Sequence, residues 1–237
     1  MEKGEKILKW PGLVRGRLVR RHKRFKADVT LSNGHIVTAF CPNTGSMASC
    51  SEPGRTVYLS RHNRPDRKLK YTWEMIKMPS SLVGVNTGVP NRLVKASIQA
   101  GRIRELTGYD RLRAEVRYGR NSRIDLLLEQ GEKRCYIEIK NCTLVEKGIA
   151  YFPDAVTSRG LKHLKELQKE VDSGNRAVMV YLVQRMDAKE FRPAHHIDPA
   201  YGREFKIAMD RGVEFLALDV VLDTEGVSLN KRLPLYS

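Results

Sequence analysis

An aspartate, a glutamate and a lysine in the middle of the chain have types and spacing that would suit divalent-cation chemistry. Asp125 lies in the apolar string RIDLLL, and Glu138 and Lys140 lie in CYIEIKN, so together they form the pattern D-x12-E-x-K. CYIEIKN alternates in polarity, which predicts a β-strand with Glu138 and Lys140 on the same face. A lone E-x-K is also typical of the solvated face of a half-buried sheet, and that alternative is open at this point.

The residues between the two strings favour an antiparallel hairpin. EQGEK separates RIDLLL from the strand of Glu138, and Gly131 marks a turn. If opposed residues sum to 263, Asp125 faces Glu138 and Arg123 faces Lys140, and opposed side chains share a face. A register slipped by one residue would send Asp125 to the other face. We therefore predict this register and expect the three side chains to converge.

Two adjacent carboxylates repel each other unless a cation lies between them. Mg²⁺ (or Mn²⁺) takes oxygen ligands, keeps several waters and accepts phosphate oxygens. Asp125 and Glu138 are the predicted ligands, with the Ile139 carbonyl as an additional one. Lys140 would hold the attacking water or offset the charge that develops on phosphorus. These residue types together predict hydrolysis of phosphodiester bonds by a metal-activated water.

The net charge is the strongest property of the composition. Lysine and arginine number 43 against 27 acids, a formal net charge of +16, and residues 1–80 alone hold 17 basic and 6 acidic side chains. Such a field favours polyanions, because phosphate contacts release counterions. We expect DNA as the partner, with double-stranded DNA favoured and single-stranded DNA left open, and no membrane partner. A basic surface that serves only solubility is the alternative, and a homodimer is left open.

The first eighty residues read as short strands separated by turns. GLVRGRLVRRH mixes apolar and polar residues, and FKADVTL alternates in polarity. Asn33-Gly34 predicts a tight hairpin turn between FKADVTL and HIVTAF, and RTVYLS and YTWEMIKM read as further short strands. Five such strands with little helix pattern predict a small barrel of the OB type over residues 1–80. We predict nucleic-acid contact by a basic cluster with an aromatic residue inside it, although a solvated loop is the alternative. Its members are Arg20, Arg21, Lys23, Arg24, Phe25 and Lys26.

Residues 81–237 change to a mixed pattern after a linker at residues 78–91. We predict a helix over 92–106 capped by Asn91, then three strands, a helix that stops at Gly174, and a buried strand, RAVMVYLVQ. A last helix and strand complete a mixed sheet flanked by helices, so the fold class is α/β with two domains. Trp10 and Trp73 are predicted in the barrel core. The HHID segment is interpreted as a loop with solvated imidazoles.

The D-x12-E-x-K pattern on this frame resembles the PD-(D/E)XK nuclease superfamily, which has the restriction-endonuclease-like fold. CPNTGSM, RIDLLL, YIEIKNCTLV, FPDAVTSRGLKHLKEL and DPAYGREFKIAMDRGVE, which span most of the chain, resemble the sugar fermentation stimulation protein A (SfsA) family. The resemblance implies a DNA-binding protein with an OB-like amino-terminal domain and a nuclease-like carboxy-terminal domain. It also assigns Asp125, Glu138 and Lys140 to the nuclease signature.

The resemblance leaves one metal ligand and the activity itself open. The superfamily often adds a glutamate from the first helix, and Glu105 is the nearest candidate here, at the predicted end of that helix. The protein is then either a Mg²⁺-dependent deoxyribonuclease or a catalytically idle DNA-binding regulator of sugar metabolism genes. RNA binding through the barrel is a third interpretation. Arg159 and Lys162, at the start of the next helix, resemble phosphate clamps in contact with DNA.

The expected localisation follows from two features of the sequence. The beginning of the chain is charged and lacks the apolar stretch of a signal peptide, and no run approaches a membrane span, so we expect a cytoplasmic protein. The cysteines have no zinc-site spacing, and reduced thiols are expected.

Overall fold

The computed structural model describes residues 6–119 and 122–237, so the charged segment at residues 1–5 lies outside the described residues. The strands are β1 (Leu8–Lys9), β2 (Leu13–His22), β3 (Lys26–Leu31), β4 (Ile36–Phe40), β5 (Thr56–Arg61), β6 (Tyr71–Lys77), β7 (Leu82–Gly84), β8 (Arg111–Tyr118), β9 (Ser122–Gln130), β10 (Lys133–Cys142), β11 (Leu144–Glu146), β12 (Ile149–Phe152), β13 (Arg176–Val183), β14 (Glu190–Pro193), β15 (Glu214–Leu222) and β16 (Gly226–Arg232). The helices are α1 (Val89–Gln99), α2 (Ser158–Asp172) and α3 (Pro199–Asp210), with one 3-10 turn at Arg104–Leu106. Within these residues no helix combines the length and hydropathy needed to cross a membrane.

The amino-terminal strands form a closed barrel, as predicted. They pair in the order β4-β3-β2-β5-β6-β7, and β4 also pairs with β6, which closes five strands into a ring. Alternate side chains such as Ala27 and Val29 are fully buried, and they pack with Trp73 in one apolar cluster. Period-two alternation therefore produces an OB-like barrel whose inner face is filled by side chains.

The carboxy-terminal strands form a seven-stranded mixed sheet in the order β1-β16-β15-β13-β10-β9-β8. β13 is parallel to both β10 and β15, and the other pairs are antiparallel. α1 packs on one face, where Leu93 joins the cluster, and α2 and α3 pack on the other through Leu164 and Phe205. The sheet is buried on both faces, which explains the continuous apolar run of β13. The predicted mixed sheet flanked by helices is confirmed.

Several elements differ from the sequence-based expectations. The first helix ends at Gln99 rather than near residue 106, because Gly101 adopts a φ of +65° that a continuing helix does not allow. Its N-cap is Gly88 rather than Asn91. The hairpin at Asn33-Gly34 forms, with Thr30 opposite Ile36, but only Gly34 of that dipeptide has a positive φ. The loop is therefore wider than the predicted two-residue turn.

Each sheet includes a strand from the other side of the predicted domain boundary at residue 80. That boundary stays a prediction. β7 pairs with β6, so the six-stranded sheet continues to Gly84. β1 pairs with β16 at the edge of the other sheet, and Trp10 packs there, with its indole Nε1 donating to the Asp223 carbonyl at 2.8 Å. The prediction that Trp10 lies in the barrel core is wrong. The β11-β12-β14 sheet was not anticipated, because such short strands carry too little periodicity.

Candidate active site and basic surface

The hairpin of β9 and β10 has the predicted register. Cys135 lies opposite Leu128, and pairing continues to Ile137 opposite Leu126. Asp125 and Glu138 are the next residues on each strand, immediately beyond the last recorded pair. The two acids therefore lie where the strands stop pairing and leave room for a ligand.

Asp125 is fixed by two hydrogen bonds. Its Oδ2 accepts from the backbone N–H of Ile139 at 2.7 Å, and its Oδ1 accepts from Asn91 Nδ2 on α1 at 2.8 Å. The carbonyl of a strand residue faces the same neighbouring strand as its N–H, so the Ile139 carbonyl also faces Asp125. Burial and the neighbouring Glu138 charge raise the pKa of Asp125 to about 6, despite these hydrogen bonds. The hydrogen bonds hold the Asp125 carboxylate in place, but its surroundings do not fully offset its negative charge.

Glu138 lies deeper, with 2% of its surface exposed. Its Oε1 accepts a hydrogen bond from Lys140 Nζ at 2.7 Å and another from His163 Nδ1 on α2. Burial alone would raise the pKa of Glu138, but the His163 hydrogen bond and the Lys140 charge outweigh it and lower the pKa. Its Oε2 is buried with no hydrogen-bond partner among the described residues. One oxygen of this carboxylate is thus available to a ligand.

His163 lies beside the ion pair of Lys140 and Glu138. Its Nδ1 lies 2.9 Å from Lys140 Nζ, and Arg159 Nε approaches its Nε2 at 3.5 Å. A donor at Nε2 leaves the proton on Nδ1, which is the nitrogen that faces Glu138. The sequence analysis missed the roles of His163 and Asn91, because no spacing along the chain indicates which helix side chains reach a strand.

The donor set fits a small, hard cation that keeps part of its water shell. The site has two carboxylates, and one oxygen of Glu138 has no hydrogen-bond partner among the described residues. This set matches Mg²⁺, which needs only one or two protein carboxylates besides water and phosphate. Within the described residues no three His, Cys, Asp or Glu side chains converge on a metal position. Glu105 is not brought to the site: it accepts from Arg232 at 3.1 Å, and the strand of Arg232 is three strands away from β10.

The barrel cluster of basic residues covers the hairpin between β2 and β3. Lys23 and Arg24 form its tip and are exposed, with φ values of +49° and +60°. Phe25 is 44% exposed, and Lys26 Nζ lies 5.9 Å from its ring centre. An exposed ring beside cationic side chains has the chemistry of a nucleic-acid contact.

Two arginines of that cluster have internal partners. Arg20 Nε pairs with Asp28 at 2.9 Å. The Arg21 guanidinium donates to the backbone carbonyls of Asn43 and Gly45 at 2.9 and 2.8 Å, and also to those of Arg24 and Ser46. Arg21 therefore organises the loop of the CPNTGSM string. DNA contact stays a prediction for all members of the cluster.

The organised loop faces the other domain across a cleft of about 570 Å³. Asp154 lines this cleft, and its Oδ2 accepts hydrogen bonds from Ser46 Oγ and from the Met47 N–H, each at 3.2 Å. A Cβ on Gly45 would lie 2.6 Å from that oxygen, which explains the glycine. Asp154 is thus an interdomain contact and not a helix cap; the cap of α2 is Thr157, whose hydroxyl accepts from the Gly160 N–H at 3.0 Å.

The remaining candidates are placed as follows by the structure. Arg159 and Lys162 are exposed on the first turns of α2, as a phosphate clamp requires, and that role stays a prediction. His195 and His196 are exposed in a turn, as predicted. Asp198 caps α3 and is buried. The cysteines are free and buried.

Comparison with known proteins assigns both halves of the chain. The SfsA N-terminal OB domain matches residues 19–85, and the sugar fermentation stimulation protein RE domain matches residues 88–226. Sugar fermentation stimulation protein homologs of Geobacter sulfurreducens and Rhodospirillum rubrum are each 52% identical, covering 95% of this chain and 97% of each relative. SfsA of Pyrococcus furiosus, solved in complex with Ca²⁺, is 26% identical with a TM-score of 0.90, over 99% of this chain and 100% of that one. The chain therefore belongs to the sugar fermentation stimulation protein family.

Proposed function

We propose that this protein binds DNA and that its nuclease-like domain hydrolyses phosphodiester bonds with Mg²⁺ or Mn²⁺. The observation that supports the proposal most strongly is the convergence of Asp125, Glu138 and Lys140 where β9 and β10 stop pairing. A buried acid paired with a lysine, beside a second, partly buried acid on the neighbouring strand, is a costly arrangement for structure alone, since buried charges require partners. They suit a site that binds a cation and a phosphate together.

Asp125 and Glu138 would hold the cation, with the Ile139 carbonyl beside them. The raised pKa of Asp125 indicates negative charge without enough compensation, and the Oε2 of Glu138, which has no hydrogen-bond partner among the described residues, is an acceptor available to a cation. When bound, a divalent cation stabilises charge on phosphoryl oxygens and makes its bound water more acidic. The Pyrococcus furiosus relative was solved with Ca²⁺, another hard cation that prefers oxygen ligands, which supports a divalent ion at this site.

Lys140 would act on the phosphate. Its ammonium group, which donates to Glu138 and lies beside the His163 ring, carries positive charge near the end of β10, where it would orient a water or offset charge in the transition state. The exposed Lys23 and Arg24 of the barrel would bind the DNA backbone, and Arg159 and Lys162 would do so on α2. In this arrangement the barrel binds DNA and the neighbouring domain hydrolyses its phosphodiester bonds.

A second candidate is a DNA-binding regulator with an idle nuclease fold. It is favoured by one observation: the Lys140 charge is already paired with Glu138, and no third acid joins the two carboxylates within the described residues. This candidate predicts salt-sensitive DNA binding, no turnover, and binding that Lys140→Ala leaves unchanged.

Cleavage of plasmid, short-duplex and single-stranded DNA in Mg²⁺ or Mn²⁺ tests the proposal. Lys140→Ala should reduce cleavage at least about a hundredfold, the loss typical of a transition-state contact. Lys133→Ala is the matched control, because Lys133 is an exposed lysine at the other end of the same strand. Equal activity of wild type and Lys140→Ala would place the reaction elsewhere. Binding without cleavage by wild type would select the idle regulator, and tighter binding of matched RNA would select the RNA interpretation.

A further inference from the structure

The cleft between the barrel and the nuclease-like domain has a shape and lining that the site described above does not use. We infer that it binds a single, unpaired DNA strand, and that Val156 at its rim contacts the bases. The inference rests on the proposed function, because it names the form of DNA that reaches Lys140.

The size of the cleft selects the form of DNA. Its volume of about 570 Å³ is that of pockets that enclose small molecules. A duplex must be broader than its own major groove, which is about 12 Å wide, and is therefore too large for such a space, whereas unpaired nucleotides fit it. A duplex can contact only the outer surface of the two domains.

The walls of the cleft suit a phosphate backbone. Arg24 lies on the barrel side and Thr44 supplies a hydroxyl group, whereas the Ser46 hydroxyl already donates to Asp154. Asp154 is the one acid of the described lining, and its Oδ2 already accepts from Ser46 Oγ and the Met47 N–H. Positive charge and hydrogen-bond donors therefore face a ligand that carries negative charge.

Val156 supplies an apolar contact at the rim. It is 78% exposed, more than any other exposed large hydrophobic side chain of the described residues. Its loop is fixed on both sides: Asp154 holds the barrel loop, and the Thr157 N–H donates to Asp198 at 2.9 Å. An aliphatic side chain on a fixed loop beside basic residues is the arrangement by which proteins wedge against unstacked bases.

The cleft leads towards the three candidate catalytic residues. Asn141, which lines it, follows Lys140 on β10, and Thr157, which also lines it, caps α2. Nearly two turns further along α2, His163 reaches Glu138. Lys140 is on the opposite face of β10 from Asn141, so in this inference the DNA strand leaves the cleft around the end of β10 to reach Lys140.

Fluorescence anisotropy with a labelled single-stranded DNA and a covalently closed dumbbell duplex tests the inference. Val156→Asp should weaken single-strand binding at least about fivefold, and Val156→Trp should strengthen it to a similar extent, because stacking on a base is worth that much. The duplex should change less than twofold. Val221→Asp, at another exposed valine on β15, two strands away from β10, should change neither, and thermal unfolding verifies that each variant is folded.

Each result decides a different statement. Unchanged single-strand binding in both Val156 variants, or equal losses for single strand and dumbbell, would overturn the role of the cleft and leave the proposed function standing. Failure of the wild type to bind either DNA would overturn the proposed function, and the inference with it.

Discussion

Asp125→Asn is expected to make the cation-free protein more stable at neutral pH. In the wild type, burial and the Glu138 charge raise the pKa of Asp125 from 3.8 to about 6. The folded protein therefore binds this proton more tightly than the unfolded chain does. The resulting stability is fully present below pH 3.8 and is lost as the pH rises through 6. An amide does not ionise, so the variant avoids the loss.

The size of the effect follows from the same pKa. A shift of about two units corresponds to about 3 kcal/mol at 1.36 kcal/mol per unit, which is an upper value for this partly buried group. The introduced amide oxygen can still accept from the Ile139 N–H, and Asn91 can turn its own amide to keep the second contact. For a chain of this length, 1 kcal/mol moves Tm by about 2–4 °C. We therefore expect a rise of several degrees above pH 6.5.

Thermal unfolding followed by circular dichroism from pH 4 to pH 8 in EDTA measures the difference. The two proteins should converge near pH 4 and separate above pH 6, and added Mg²⁺ should stabilise only the wild type, since only it retains both acids. Asp28→Asn is a control of opposite sign. The Arg20 hydrogen bond lowers the Asp28 pKa to about 2, which stabilises the protein above pH 3.8 and is lost as the pH falls through 2. That variant should be less stable at pH 7. An Asp125→Asn variant no more stable than wild type at pH 7.5 in EDTA would refute the reasoning.

Three further changes test other parts of the structure. His163→Leu should lower the free energy of unfolding by about 2 kcal/mol, because a buried carboxylate loses a hydrogen bond, whereas His163→Asn should recover part of it in urea titrations. Arg21→Lys should cost about 1–2 kcal/mol, since lysine cannot reach the several loop carbonyls together, and faster proteolysis within residues 43–46 would report the loosened loop. Arg24→Gln should reduce the slope of log affinity for duplex DNA against log salt by about 1; an unchanged slope would exclude a phosphate contact.

The sequence by itself determined the local parts of the site. Period-two alternation placed Glu138 and Lys140 on one face of a strand. The turn at Gly131 indicated the hairpin, and the structure confirms the one of its possible registers that brings Asp125 alongside. The barrel strands and the continuous apolar β13 were also readable, because each depends on a pattern within about ten residues. The ends of helices were harder to predict from the sequence, since Gly101 ended α1 earlier than its apolar spacing suggested.

Only the tertiary structure decided which distant side chains complete the site. His163 and Asn91 lie 25 and 34 positions from the acids they contact, and Arg21 reaches a loop more than twenty residues further along the chain. These contacts depend on how α1 and α2 pack on opposite faces of the sheet and on how the barrel docks against it. Such packing is set by the burial of whole faces summed over many residues, and no local spacing encodes it.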